Sequence, residues 1–348
     1  MGGTPYEQLS RAGQTRRMRR LATTALAAYP FTLARVVRLA QGWNATFRVD
    51  GVDGARYALR IHRPDGPTTA MVRSELMWLA AIRRDTDLVV PEPVPTNDGD
   101  LVTVVADPDI PEPRTCDLLR WIDGRFIHRG LTPAHLHRVG AFMGHLQAHG
   151  QRWPLPDGFT RGRVDNITRF AGTRKDNLSP EVAAHAADLV VRVHSARGGP
   201  IAHAVLDMAR AARNSLAGVP EVSGLMHADL HQENFLFAGV RVGAIDFDDC
   251  GFGSYLYDLA VTLSELTHHP GYRELRAALI AGYRTVRPLT AEREQLIGAF
   301  IALRFLQLAM VIVETRENPM FRDTWAGAVA WHLDWLERYL ASGEVDDG

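Results

Sequence analysis

The span HADLHQENFLFAGVRVGAIDFDD, residues 227–249, sets five acidic side chains, an asparagine and two histidines among short apolar runs. A polar loop has no use for Phe235, Leu236 and Phe237, and a core hairpin tolerates few carboxylates, because buried charge is costly unless it is paired or binds a cation. Residues 234–237 and 241–246 read as two strands about a turn at Ala238, Gly239 and Val240. Pairing about that turn brings Asn234 and Asp246 to the same end of the hairpin. An amide oxygen and a carboxylate with no soft ligand beside them suit Mg2+ rather than zinc. Asp229 lies five residues before Asn234. A carboxylate near a metal but not bound to it is suited to accept a proton from a hydroxyl nucleophile. His227 and His231, four apart, would form a zinc pair on a helix, but Gly224 and the hairpin argue against a helix there. His227 is read instead as a loop residue that bonds backbone and steadies Asp229.

Such groups need a scaffold, and 348 residues exceed the usual single domain, which predicts two lobes. Residues 32–40, 46–51 and 55–62 read as strands, the last two joined by a turn at Asp53 and Gly54. Residues 68–84 read as a helix, and 89–124 begin Pro-rich and turn strand-like. Beyond Gly124 the pattern is helical almost throughout, over 132–150, 181–193, 202–217 and everything after Tyr257, the acidic hairpin excepted. The expected class is α+β: a small antiparallel β lobe with one helix over 1–121, then a larger, mostly helical lobe over 122–348. Binding sites favour such junctions. In the first lobe the helix stripe Val72, Glu75, Leu79, Ile82 contains a carboxylate. Glu75 either lies at the stripe's edge in solvent or meets a cation from the adjacent strand, whose alternation sets Ala58, Arg60 and His62 on one face. An Arg60–Glu75 pair would hold a guanidinium of the kind that clamps phosphate oxygens. Gly42 and Asn44, at the connection between the first two strands, could present backbone N–H groups to phosphate.

Composition narrows the partners. A formal net charge of −1 gives no push toward nucleic acid or an anionic membrane. Lys175 is the one lysine, and the arginine clusters at 16–20 and 83–84 read as solvated helix faces. Cys116 and Cys250 suggest no disulfide framework, so a reducing, cytoplasmic setting is expected. RRMRRLATTALAA reads as an ordinary N-terminal helix rather than an export signal. The apolar run 296–314 carries Arg304 and Gln307 mid-span, which predicts a buried helix rather than a membrane span. GFGSY lacks the third glycine of a dinucleotide fingerprint and is read as a loop, and Asp258 is read as the cap of the helix that follows.

HADLHQEN followed by IDFDD resembles the catalytic loop and metal-binding segment of the aminoglycoside phosphotransferase/choline kinase-like family, relatives of the protein kinases. Arg60 on a third strand and Glu75 on the following helix carry the likeness upstream. The resemblance implies a protein-kinase-like two-lobe fold with Asp229 as catalytic base and Asn234 and Asp246 as magnesium ligands. It implies Arg60, fixed by Glu75, on the α- and β-phosphates, and LLRWIDG as an inter-lobe hinge whose backbone at Arg120 and Ile122 would bond adenine. ATP or GTP with Mg2+ and a small hydroxylated acceptor follow from the same likeness. The chain departs from the pattern twice: Arg60 stands where the family usually has lysine, and DFD replaces the DFG of protein kinases. Asp248 is then either a second metal contact or a solvent-facing acid.

Three function classes fit these residues: a small-molecule O-kinase, a stress-response type protein Ser/Thr kinase, and a non-catalytic nucleotide-binding module. The intact Asp229, Asn234 and Asp246 favour an enzyme over the last. The helix expected near Asp258 leaves little room for a peptide platform after Asp246, which favours a small acceptor read by later helices. Glu265, Arg304, Gln307 and Glu314 on those helices either face inward or are exposed. Antibiotics lead among acceptors by analogy with the family, and an amino-alcohol or homoserine-type substrate is the metabolic alternative.

Overall fold

Along β2 (Ala45–Gly51) buried and half-buried residues alternate, Phe47 and Val49 pointing into a core and Thr46, Arg48 and Asp50 away from it. That period fixes the register of the sheet around it. A computed structural model of the chain describes residues 6, 9–41, 44–64, 66–164, 197–316 and 322–345. Gly42 and the helix expected over 181–193 lie outside the described residues. The chain divides into two compact units, Met1–Gly124 with Pro154–Thr160 and Arg125–Trp153 with Arg161–Gly348.

The first unit is built on a five-stranded antiparallel sheet in the order β1-β2-β3-β5-β4, with β1 at Leu33–Gln41, β3 at Arg56–Ile61, β4 at Thr103–Val105 and β5 at Arg114–Arg120. The turn from β2 to β3 needs Gly54, whose φ is 81°, and Asp53 accepts from the Ala55 N–H there. Helix α1 (Arg11–Leu26) buries Leu21, Ala22 and Ala25 in the core shared with the sheet. Arg16, Arg19 and Arg20 are on the exposed face expected, where Arg20 pairs in bidentate fashion with Asp107, while the half-buried Arg17 donates to the Asp109 carbonyl. Helix α2 (Thr69–Asp85) is capped by Thr68, which accepts from the Met71 N–H. Its buried stripe runs through Val72, Glu75, Leu79 and Ile82.

The second unit is mainly helical: α3 (Pro133–Arg152), α4 (Gly198–Ser215), α5 (Tyr255–Ser264), α6 (Tyr272–Arg284), the short α7 (Ala291–Gln295), α8 (Ile297–Glu314) and α9 (Trp325–Ser342). α3 and α6 meet backbone to backbone, since a Cβ on Gly282 would lie 1.8 Å from the His137 carbonyl oxygen. α8 is the one described helix long and apolar enough to cross a membrane, yet 83% of that stretch is buried inside the protein. Two small antiparallel pairs interrupt the helices, β6 (Ser223–Met226) with β9 (Gly251–Ser254) and β7 (Phe235–Ala238) with β8 (Arg241–Ala244). GFGSY is therefore a strand running into α5, not a loop. Its first glycine is there for packing: a Cβ on Gly251 would sit 2.6 Å from the Gly162 carbonyl oxygen, because β9 runs between β6 and the chain at 162–164.

Candidate active site

Residues 227–234 form a loop between β6 and β7 that is fastened from below by α5. Asp258 is not the helix cap expected. The cap position belongs to Ser254, and Asp258 sits inside the first turn, fully buried. Its carboxylate accepts the backbone N–H groups of Ala228 at 2.6 Å and His227 at 3.3 Å, and the Gln147 amide at 3.1 Å. Four residues on, Thr262 donates to the Leu230 carbonyl at 2.6 Å, so one helix face grips the loop on both sides of Asp229. The clamp holds Ala228 at φ 68°, a left-handed conformation that costs a residue with a Cβ about 1 kcal/mol or more. His227 serves the loop as expected, bonding the Ile245 carbonyl through Nε2 while its Nδ1 accepts from the Asp229 N–H.

The Asp229 side chain is half-buried and has different neighbours on its two oxygens. Oδ1 accepts from Arg304 Nη2 at 2.5 Å. Oδ2 lies 3.4 Å from Asn234 Nδ2 and 3.6 Å from His231 Nε2. Arg304 projects from α8 with only 5% of its side chain exposed. Gln307, one turn on, is also inward and accepts from the Tyr257 hydroxyl at 2.6 Å. Of the other two polar residues flagged on these helices, Glu265 is exposed, and Glu314 is half-buried with its carboxyl pushed up by burial. His332 on α9 is buried neutral: burial lowers its pKa to about 4 against the hydrogen bond to Ala328, and nearby Arg304 adds to the lowering.

The β7–β8 hairpin forms as expected, and the Ile245 N–H donates to the Asn234 carbonyl at 2.9 Å, which sets Asn234 and Asp246 at one end of it. Asn234 Nδ2 donates to the Asp229 carbonyl at 2.8 Å, so the amide oxygen is the atom turned toward any ion. Asp246 is exposed and left-handed, at φ 62°, and with Ala228 makes up the non-glycine residues of positive φ among those described. Ala228 lies in the loop before the β7–β8 hairpin and Asp246 directly after that hairpin, and backbone strain often marks function. Asp248 follows in a short 3-10 turn, its carbonyl accepting from Arg161. Among the described residues no three His, Cys, Asp or Glu side chains group to hold a metal by themselves. One amide and one or two carboxylates instead fit an ion that takes its remaining ligands from phosphate and water, the habit of Mg2+.

In the first unit the Arg60–Glu75 pair exists, and it is part of something larger. Arg60 Nη1 donates to Glu75 Oε1 at 2.8 Å, and its Nε donates to Asp117 Oδ1 at 3.0 Å. His62 Nε2 lies 2.7 Å from Asp117 Oδ2. Register explains the meeting, since Arg60 on β3 is directly opposite Asp117 on β5. All four side chains are buried. Burial alone would raise the Asp117 carboxyl, but Arg60 and His62 outweigh it and hold it below the ordinary carboxylate range. Arg60 is thus fixed in its plane by two carboxylates rather than one. Asn44, half-buried, immediately precedes β2. At the end of β5 the Arg120 N–H donates to the Glu92 carbonyl and the Trp121 N–H to the Arg56 carbonyl, which leaves any adenine bond at Arg120 to its carbonyl.

Asp117, Arg304 and Asp258 have no site role in the motif reading. Arg304 is a charge inside the apolar run of α8, which is a readable signal, whereas Asp117 lies in RTCDLLR among other polar residues and Asp258 sits where a helix cap is expected.

The phosphotransferase enzyme family matches residues 35–296, well over half of the chain. Homoserine kinase of Brucella canis is 30% identical over 226 residues, covering 63% of this chain and 62% of the relative. The chain therefore spans less than two thirds of the length of such curated relatives. A microcompartment-associated aminopropanol kinase is 30% identical and superposes with a TM-score of 0.74 over 93% of this chain and 98% of its own. An amicoumacin kinase solved with AMP-PNP and Ca2+ superposes with a TM-score of 0.75 at 18% identity, over 97% and 98%. With its N-terminal antiparallel sheet, its larger helical part and this match, the chain belongs to the phosphotransferase enzyme family and has the protein-kinase-like fold of those kinases.

Proposed function

We propose that this protein is an ATP- and Mg2+-dependent O-phosphotransferase whose acceptor is a hydroxyl of a small amino alcohol. The observation that carries the reading is the fastening of the Asp229 loop: Asp258 and Thr262 fix its backbone, and Asp229 is presented half-buried beside Asn234. In this reading residues 1–121 are the nucleotide-binding lobe and 122–348 the catalytic lobe. Arg60 contacts the phosphates while Glu75 and Asp117 hold it, and Asn44 and Gly42 offer backbone to them. The backbone at Arg120 and Ile122 meets adenine. Asn234 and Asp246, with Asp248 as a further oxygen donor, hold Mg2+, which when bound neutralises phosphate charge. Asp229 accepts the proton of the acceptor hydroxyl. The freed oxygen bonds the γ-phosphorus, the bond from that phosphorus to the β–γ bridging oxygen breaks, and ADP leaves with the electron pair.

The amino-alcohol class rests on the two relatives at 30% identity, named for homoserine and aminopropanol. An antibiotic is the second reading, favoured by the fold shared with the amicoumacin kinase. A protein acceptor is disfavoured because α5 begins at Tyr255, earlier than the sequence indicates, and the stretch after Asp246 is occupied by a 3-10 turn and β9. Two buried free thiols and a buried apolar helix accord with a cytoplasmic enzyme. The test is purified protein with ATP and Mg2+ against amino alcohols, hydroxy amino acids, antibiotics and a protein substrate, read by mass. A phosphoryl gain confined to amino alcohols or hydroxy amino acids supports the reading. Gain on the protein alone would replace it.

A further inference from the structure

Resting on that reading of Asp229 as the base, we infer that Arg304 is a positioning residue for phosphoryl transfer, holding the Asp229 carboxylate in its reactive orientation. A buried guanidinium in an otherwise apolar helix is costly unless a specific anion meets it. Here Asp229 meets it, at 2.5 Å, with 5% of the Arg304 side chain exposed against 17% of Asp229. α5 fixes the loop backbone through Asp258 and Thr262, but neither of those bonds constrains the Asp229 torsions beyond Cβ. Arg304 supplies that constraint from a second helix. α8 itself packs against α5, α4 and α9, so the guanidinium is carried on a rigid element.

The two oxygens of Asp229 then have separate tasks. Oδ1 is held by Arg304, and Oδ2, on the side of Asn234 and His231, is the atom for the acceptor proton. A guanidinium so close weakens a carboxylate as a proton acceptor. Phosphoryl transfer through a loose transition state asks little of base strength and much of placement, so the exchange favours catalysis. The consequence is kinetic: losing Arg304 should act on the chemical step and only through Asp229.

The test is a double-mutant cycle on the full chain, using whichever of L-homoserine, 1-amino-2-propanol or water is the fastest acceptor. Arg304→Gln should lower kcat about 10²-fold with the KM for ATP within about twofold, and Arg304→Lys should recover about tenfold of that loss. In an Asp229→Ala background Arg304→Gln should cost less than about twofold more. Equal losses in both backgrounds, or a loss confined to the KM for ATP, would overturn the inference while leaving the proposed function intact. Full activity of Asp229→Ala, or no wild-type turnover with any of the three acceptors, would overturn that function and the inference with it. Thermal melting checks each variant, and should Arg304→Gln not fold, Arg304→Lys in both backgrounds carries the same comparison.

Discussion

Asp117 and Asp258 are both fully buried aspartates, one in each compact unit, and their charges are met in different ways. Asp117 faces side chains, the Arg60 guanidinium and the His62 imidazole. Asp258 accepts from two peptide N–H groups and a side-chain amide. The first arrangement fixes a side chain that must reach a ligand. The second fixes a backbone, including the left-handed Ala228, so that the next residue is displayed. A cluster of ions can be taken apart one partner at a time, each removal leaving a charge behind, whereas a carboxylate gripping N–H groups loses its loop when it goes.

The sharpest way to break this contrast is Arg60→Ala, which takes the guanidinium from both buried carboxylates and leaves Asp117 with His62. It should cost about 3–5 kcal/mol of stability in urea denaturation, as breaking a buried pair does. A loss under about 1 kcal/mol would mean the cluster is wet. Asp258→Asn comes next. An Asn amide turns donors toward donors, and each bond to a charged acceptor contributes about 1.5–3 kcal/mol, so we expect about 3 kcal/mol together with a fall in kcat of about tenfold or more. Unchanged kcat in a destabilised variant would show that the grip on the loop serves folding alone.

Asp117→Asn should be mildest, about 1–3 kcal/mol near neutral pH, because Arg60 keeps Glu75. It also has a pH signature. Asp117 has its folded pKa below the unfolded value, so its contribution is present above the ordinary carboxylate pKa of about 4 and is lost as pH falls through the lower folded value. The difference in stability between wild type and Asp117→Asn should therefore shrink below about pH 4. A difference that stays constant on acidification would contradict the assigned direction.

Period and spacing made much of this readable in advance. β1 to β3, α2, the acidic hairpin and the Arg60–Glu75 pair lie where alternation and the helical stripe put them, because each depends on residues within one element or its neighbour in sequence. What escaped depends on contacts between distant segments. Asp117 meets Arg60 through strand order, with β5 inserted beside β3. Asp258 reaches Ala228 across 30 residues and Arg304 reaches Asp229 across 75. Pattern within one helix cannot say which loop its charge will face. β9 is hidden for another reason: two glycines in four residues suggest a loop, and the use of Gly251 for close approach shows only once β6 and residues 162–164 are placed on either side.

The most direct test of the account is the turnover and nucleotide affinity of Asp229→Ala, measured with L-homoserine or 1-amino-2-propanol as acceptor. The account predicts a fall in kcat of about 10²–10⁴-fold with ATP binding within about twofold of wild type, because a base acts on the transition state and not on the nucleotide. Turnover that survives the substitution would contradict it, and would move the chemistry to another residue.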